Sequence, residues 1–576
     1  MKRKLLFWII SFCTLHAMAQ SAITELYKQD KTPTYEQVIN YYAEKAAQYP
    51  FISMRAEGLT DAFQPLHLVL FDTEGKTSAE QARAAGKTII LINNGIHPGE
   101  PDGIDACIQF TEAYINDTAF RAQCKDLLIC IIPVYNIGGA LNRGSYSRAN
   151  QNGPQAYGFR GNAQNYDLNR DFMKCDSYNA LAFARIFRQI DPDVFIDTHV
   201  SNGADYSYVM TIIPTQKDKL QEPLGTYLEY DMMPALYAGM EKAGFPMCPY
   251  VNEIDKTPDN GIAGFLDLAR YSTGYTSLYQ TIGFMPETHM LKPYEQRVAS
   301  TIAFIHCCIS FAAEHGEELQ EKRKEAMQNI RLANTMDLNW ELDMGTHYDF
   351  LFSGYAAKYK PSAVSGLDRL YYDRNEPYTK NIPVYDHYIP SKQIICPKAY
   401  IVPRAWHDVV ERLGANNVRY RTLEQDSLVE VEMYHIDDVE SSETPYEGHY
   451  YHKKVVVTKY SDSILFRRGD LYIDLDQPAK RYIIEALEPE APDSFFAWGM
   501  FDAILMQKEW FSDYVFEDLA AEILEKDPAL QKQLEDKRAS DPAFAADAWE
   551  QLRFVYERSV YYEPTYRRYP VGRVVK

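Results

Sequence analysis

Positive charge is in short supply in this chain: 59 Lys and Arg residues stand against 80 Asp and Glu, for a net charge of −21. A nucleic-acid partner needs a basic surface to neutralise phosphates, so that class of function is excluded. Cysteine is also sparse, with nine residues in 576, and none is set in the close pairs that mark a thiolate metal site. Adjacent Cys307 and Cys308 sit in an apolar helical run and read as buried thiols. Repeats and low-complexity tracts are absent. The apolar run at the start, Leu5 to about Thr14, is shorter than the ~20 residues a membrane helix requires.

That opening segment has another reading. Lys2, Arg3 and Lys4 precede the apolar run, and Ala17-Met18-Ala19 has the small-x-small form of a signal peptidase site. Residues 1–19 are therefore expected to be a cleaved signal peptide. Its removal takes away three basic residues and shifts the net charge from −21 to −24. The mature protein is expected to be exported, periplasmic or extracellular, with no transmembrane anchor.

A chain of 576 residues exceeds one typical core. From about 25 to 315, apolar runs at Leu66–Phe71, Thr88–Asn93, Leu127–Val134, Val194–His199, Tyr208–Ile213 and Gly283–Glu287 alternate with helical spacing at Ile104–Ile115, Ser177–Ile190 and Tyr294–Phe311. Continuous apolar strands separated by helices predict an α/β unit with a mostly parallel or mixed twisted sheet and helices on both faces. The pattern divides the mature chain into an α/β unit over 20–316, a charged helical connector over 317–344, a β-rich accessory domain over 345–475 and a helical region over 476–576.

Chemistry concentrates where strands end. Asn93-Asn94-Gly95-Ile96-His97-Pro98-Gly99-Glu100 follows one apolar run and offers an imidazole and a carboxylate three positions apart. Asp193-Val194-Phe195-Ile196-Asp197-Thr198-His199 ends another run on a second imidazole, with Asp197 as an outer partner. Two imidazoles, a carboxylate and an open position suit one catalytic Zn²⁺, so His97, Glu100 and His199 are the expected ligands. Asp167-Leu168-Asn169-Arg170 adds an amide and a guanidinium able to fork a carboxylate. Glu287 in Gly283-Phe284-Met285-Pro286-Glu287 ends a third strand. Ligands gather beyond the carboxyl ends of such strands. His449 and His452 are spaced like ligands too, but their segment reads as a β edge or loop.

Taken in this order, the motifs resemble the zinc carboxypeptidase A family over roughly residues 30 to 310. The resemblance implies a zinc metallocarboxypeptidase, a hydrolase that acts on peptide substrates with a free C-terminus. It implies His97, Glu100 and His199 as metal ligands, Asn169 and Arg170 as the clamp on the substrate's terminal carboxylate, and Glu287 as general base. An arginine that polarises the scissile carbonyl is expected at Arg148, with Arg143 as its rival. A tyrosine that caps the substrate is expected at Tyr275, among Tyr271, Tyr275 and Tyr279. Two other readings stand beside this one: a zinc deacylase of N-acyl amino acids of the aspartoacylase type, and a peptide-binding protein that kept the scaffold without the chemistry.

Overall fold

The computed structural model describes residues 23–575; the expected signal peptide lies outside them. The strands form where β-branched and aliphatic runs can be covered on both sides. Strand β3 (Thr88–Asn93) and strand β4 (Leu127–Ile132) are buried at every position. They pair in parallel, and β3 also pairs in parallel with β5 (Val194–Asp197), which neighbours β10 (Ile282–His289). The nine-stranded sheet is mixed. Its order is β1 (Ile52–Leu59), β2 (Pro65–Phe71), β4, β3, β5, β10, β7 (Met210–Pro214), β8 (Met247–Pro249), with β6 (His199–Ser201) pairing on β10. β7 runs antiparallel to β10.

Helices cover both faces. Helix Tyr178–Ile190 starts at Ser177, whose side chain accepts a hydrogen bond from Ala180 N, and stops at Asp191 in the left-handed region. Its buried residues include Phe183, Phe187 and Ile190, which join the core on one face of the sheet. Helices Asp102–Asn116 and Tyr294–Leu332 pack into the opposite core through Phe110, Val298 and Phe304. The second of these is long and apolar enough to cross a membrane by length and composition, yet half of its apolar window is buried in the protein.

That helix revises the domain boundaries. It runs unbroken for 39 residues through the boundary expected at 316/317, because the rise in surface charge there changes only its exposed face. The connector ends instead in a strand, β11 (Thr335–Leu342), paired with β14 (Tyr388–Ile395). The long hairpin of β12 (Tyr348–Pro361) and β13 (Asp368–Tyr385) is joined to the α/β unit by β9 (Ile262–Ala263), which pairs with Val384 and Tyr385. A six-stranded sheet follows: β16 (Arg421–Thr422), β19 (Leu471–Asp474), β15 (Ala399–Val402), β20 (Gly572–Val574), β17 (Ser427–Ser441) and β18 (His452–Phe466). The end of the chain, expected to be helical, thus returns to this sheet as β20. The eight cysteines of the described residues are free thiols.

Besides clusters of its own, the C-terminal unit shares a core with the α/β unit. Phe172, Phe183, Phe187, Tyr275 and Tyr279 of the α/β unit form one apolar cluster with Val409, Leu413, Tyr482, Ile483 and Leu487. Tyr279 and Tyr482 stack with ring centroids 5.8 Å apart. Each such aromatic buries roughly 150–250 Å². Truncation after residue 340 is therefore expected to leave an aggregating fragment without near-UV circular dichroism. A soluble fragment that unfolds cooperatively would contradict the shared core.

Candidate active site

The loops after β3 and β5 are tied to each other. Asn93 Nδ2 donates to Asp197 Oδ1 at 2.9 Å, and Thr198 Oγ1 donates to Asn94 Oδ1 at 3.0 Å. After β3 the chain turns through Gly95 at φ 66°, and Glu100 N donates to His97 O at 2.8 Å. This turn aims His97 and Glu100 at His199, and all three are buried. Gly99 lets Arg148 cross the loop: a Cβ there would lie 2.2 Å from the Arg148 Nε.

The imidazole orientations define the centre. His97 Nδ1 is 3.2 Å from Glu100 Oε1, and His199 Nδ1 is 3.3 Å from Glu100 Oε2. The outer nitrogens are held by carboxylates, His97 Nε2 at 2.9 Å from Asp167 Oδ1 and His199 Nε2 at 3.0 Å from Asp197 Oδ2. Carboxylates only accept here, so each Nε2 carries a proton, and each Nδ1 faces inward, where a metal would take its lone pair. The three inward ligand atoms lie within 4.8 Å of one another, as donors to a single ion must. Two imidazole nitrogens and a carboxylate oxygen fit zinc with a position left open. Val200 N donates to Glu100 Oε2 at 2.9 Å and fixes the carboxylate.

Cations and carboxylates alternate around this point. Burial opposes ionisation of Glu100, but Arg148 and His97 hold its carboxyl well below the usual range. Burial likewise opposes charge on His199, yet Asp197 and Glu100 raise its imidazole above the ordinary value, so the site favours a cation, either a proton or a metal. Glu287 lies opposite His199 in the β6–β10 register. Burial lifts its carboxyl to about 7; His199 opposes the shift, whereas Glu100 adds to it. Part of its surface remains open.

Beside His97, Glu100 and His199 lies the Asp167–Arg170 turn. Asp167 accepts from Asn169 N at 2.9 Å, and Asn169 Oδ1 accepts from Ser272 N at 3.3 Å. The Arg170 guanidinium stacks 4.5 Å above the Tyr271 ring and donates to Asn169 O at 2.8 Å. Arg148 Nη2 donates to Glu100 Oε1 at 2.6 Å. The pieces of a metallohydrolase thus converge at one end of the sheet.

Residues 12–193 match the family described as zinc carboxypeptidase. That match spans about a third of the chain and is a likeness to this family. The match contains His97, Glu100 and the Asp167–Arg170 turn, and ends before His199 and Glu287. Carboxypeptidase 2 of Trichophyton equinum is 20% identical over 481 residues, covering 80% of this chain and 79% of the relative. Carboxypeptidase 2 of Trichophyton tonsurans is 20% identical over 451 residues, 75% of this chain and 77% of its own. Among solved structures, a metallo-carboxypeptidase from Burkholderia cenocepacia overlaps 49% of this chain and 70% of its own at TM-score 0.37 and 15% identity. One from Pseudomonas aeruginosa overlaps 50% and 70% at TM-score 0.37 and 14% identity. The relatives named here are carboxypeptidases, and it is to these that the chain is similar.

One expectation for this site is corrected. Tyr275 does not border the site: it is fully buried on helix Ser272–Ser277 and donates to Asn416 Oδ1 of the C-terminal unit at 2.6 Å. The tyrosines that do border the site are Tyr271, beneath Arg170, and Tyr250, which feels the charges of Glu287, Glu253 and Glu100. Arg143, the rival of Arg148, turns away and donates to Pro33 O and Thr32 O. His449 and His452 bind no common centre; they pair with Asp176 at 2.6 Å and Asp502 at 2.8 Å. His289 donates from Nε2 to Ala204 O and accepts at Nδ1 from Leu291 N, a structural role.

Arg160 is the residue that sequence reasoning missed. Its Nε and Nη2 grip Asp167 Oδ2, both at 2.9 Å, and its Nη1 lies 3.4 Å from His97 Nδ1. It is 45% exposed against 18% for Arg148, so its guanidinium is the more accessible of the two. No strand end or motif marks it.

Loss of either imidazole, in His97→Ala or His199→Ala, is expected to abolish stoichiometric zinc in metal analysis, whereas Asp167→Asn should weaken zinc about 10- to 100-fold. Tyr275→Phe should cost about 1 kcal/mol in denaturant unfolding and leave turnover within about twofold, because Asn416 keeps its bond from Tyr279. A large fall in turnover at unchanged stability would return Tyr275 to the site.

Proposed function

We propose that this protein is an exported zinc metallocarboxypeptidase that hydrolyses the C-terminal peptide bond of peptides. The observation that carries the reading is the double role of Asp167: its carboxylate orients His97, and its turn presents Asn169 and Arg170, linking ligand geometry to the clamp. When bound by His97, Glu100 and His199, zinc supplies Lewis acidity and activates a water near neutral pH. Glu287, across from His199, accepts the proton of the attacking water and returns it to the leaving amine. Arg170, with Asn169 beside it, pairs with the substrate's terminal carboxylate and so fixes which bond is presented.

Arg148 and Arg160 both reach the Glu100 edge, and either guanidinium serves to stabilise negative charge on the carbonyl oxygen. The greater exposure of Arg160 supports it as a second donor beside Arg148. Tyr250 also lines a cavity of about 460 Å³ shared with Phe265, Tyr237, Tyr348 and Val384. That lining supports a preference for apolar or aromatic side chains. Export rests on the basic, apolar and Ala17-Met18-Ala19 segments of the leader.

A mixed peptide library with free and amidated C-termini, read by mass spectrometry, tests the reading. Single-residue loss from free ends alone is expected. Arg170→Ala should lower kcat/KM on free ends by about 2–4 kcal/mol in transition-state binding, roughly 30- to 1000-fold, and spare the residual rate on amides. Glu287→Gln should keep zinc and lose about 10²- to 10⁴-fold in kcat. Equal cleavage of amidated ends would refute the clamp, and cleavage of N-acyl amino acids alone would make the protein a deacylase.

A further inference from the structure

The turn that carries Asp167, Asn169 and Arg170 is held from a distant part of the chain. Glu447 Oε2 accepts the hydrogen bond of Asp167 N at 2.8 Å. Further along the same segment, Arg412 donates from Nε to Lys174 O at 2.5 Å and from Nη2 to Asp176 Oδ1 at 2.9 Å. His449 Nε2 lies 2.6 Å from Asp176 Oδ2. The platform under Arg170 is anchored as well: Arg270, next to Tyr271, donates from N and Nε to the Asp493 carboxylate, each at 2.8 Å.

Glu447 sits at the tip of the β17–β18 hairpin, in a two-residue turn closed by Tyr446 N to His449 O at 2.8 Å and His449 N to Tyr446 O at 3.1 Å. Both central residues have positive φ, 48° at Glu447 and 84° at Gly448. Such a turn favours Asn, Asp or Gly first, and a longer side chain in the left-handed region is strained. Local turn chemistry therefore does not account for a glutamate there. Gly448 presses on Tyr166: a Cβ would lie 2.7 Å from its ring. The tip is thus seated on residues 166 and 167, with its carboxylate committed to the backbone N–H of the residue that orients His97.

We infer that Glu447 is a positioning residue of the active site, through which the C-terminal unit fixes the Asp167–Arg170 turn. The inference rests on the proposed function for its substrate consequence and on geometry alone for its metal consequence. Asp167 holds His97 Nε2 with one oxygen and Arg160 with the other, so its placement sets the ligand and the clamp together. Residues placed in sparsely populated backbone regions at functional sites are held there by surrounding contacts, and here the contact that reaches Asp167 is the Glu447 carboxylate.

The test compares full-length wild type with Glu447→Gly and Glu447→Gln. Glycine removes the side chain and relieves the turn, so the hairpin keeps its fold; glutamine retains an acceptor oxygen for Asp167 N. In the glycine variant, zinc release to a chelator is expected at least threefold faster. KM for N-acylated dipeptides with free C-termini should rise fivefold or more, with kcat within about twofold. The glutamine variant should stay within about twofold of wild type in both readouts. Wild-type zinc release and KM in Glu447→Gly would overturn the inference, as would a kcat loss alone. If wild type itself fails to distinguish free from amidated ends, the proposed function falls, and zinc release still decides the role of Glu447.

Discussion

The site depends on one carboxylate. Asp167 fixes the proton of His97 on Nε2, which turns the Nδ1 lone pair toward Glu100 and His199, and the same side chain caps the turn from which Asn169 and Arg170 project. Burial alone would favour its neutral form, but His97, Arg160 and Arg170 hold it well below the usual carboxylate range. It therefore stays charged where the geometry needs a charge. Displacing it would rotate His97 and move Asn169 and Arg170 in one step, and this turn receives supports from three directions: Arg160, Ser272 through Asn169, and Glu447.

Around this point the α/β unit and the C-terminal unit share a core. Aromatic residues of helices Tyr178–Ile190 and Ser272–Ser277 face the C-terminal unit, and Asn416 closes the hydroxyls of Tyr275 and Tyr279. β13 extends the loop that carries Tyr250 through its pairing with β9. Tyr348 and Val384 of the accessory hairpin thus line the cavity that Tyr250 borders. Arg270 shows the pattern in miniature: buried among Tyr446, Tyr451 and Trp498, it pairs with Asp493 and steadies the stacking platform of Arg170.

Much of the α/β unit was legible because its strands are long apolar runs that end in polar loops; β3, β4, β5 and β10 fall where the periodicity puts them. The same strand ends bring His97, Glu100, His199 and Glu287 to one place. Residues whose position depends on tertiary packing were not legible. Tyr275 lies in a segment with several tyrosines, in a chain of 44, and nothing local tells which of them faces the core. The boundary near 316 followed a change in surface charge, to which a helix backbone is indifferent. β20 joins its sheet from the end of the chain, and Arg160 and Glu447 reach the site from irregular loops, so no period in the sequence announces any of them.

The most direct test of this account is zinc K-edge X-ray absorption on the purified full-length protein together with metal quantitation. The account predicts one zinc per chain, bound by two imidazoles at about 2.0–2.1 Å and by oxygen, with no sulfur. A sulfur shell near 2.3 Å, a single imidazole, or no retained zinc would contradict the convergence of His97, Glu100 and His199 on which every further step depends.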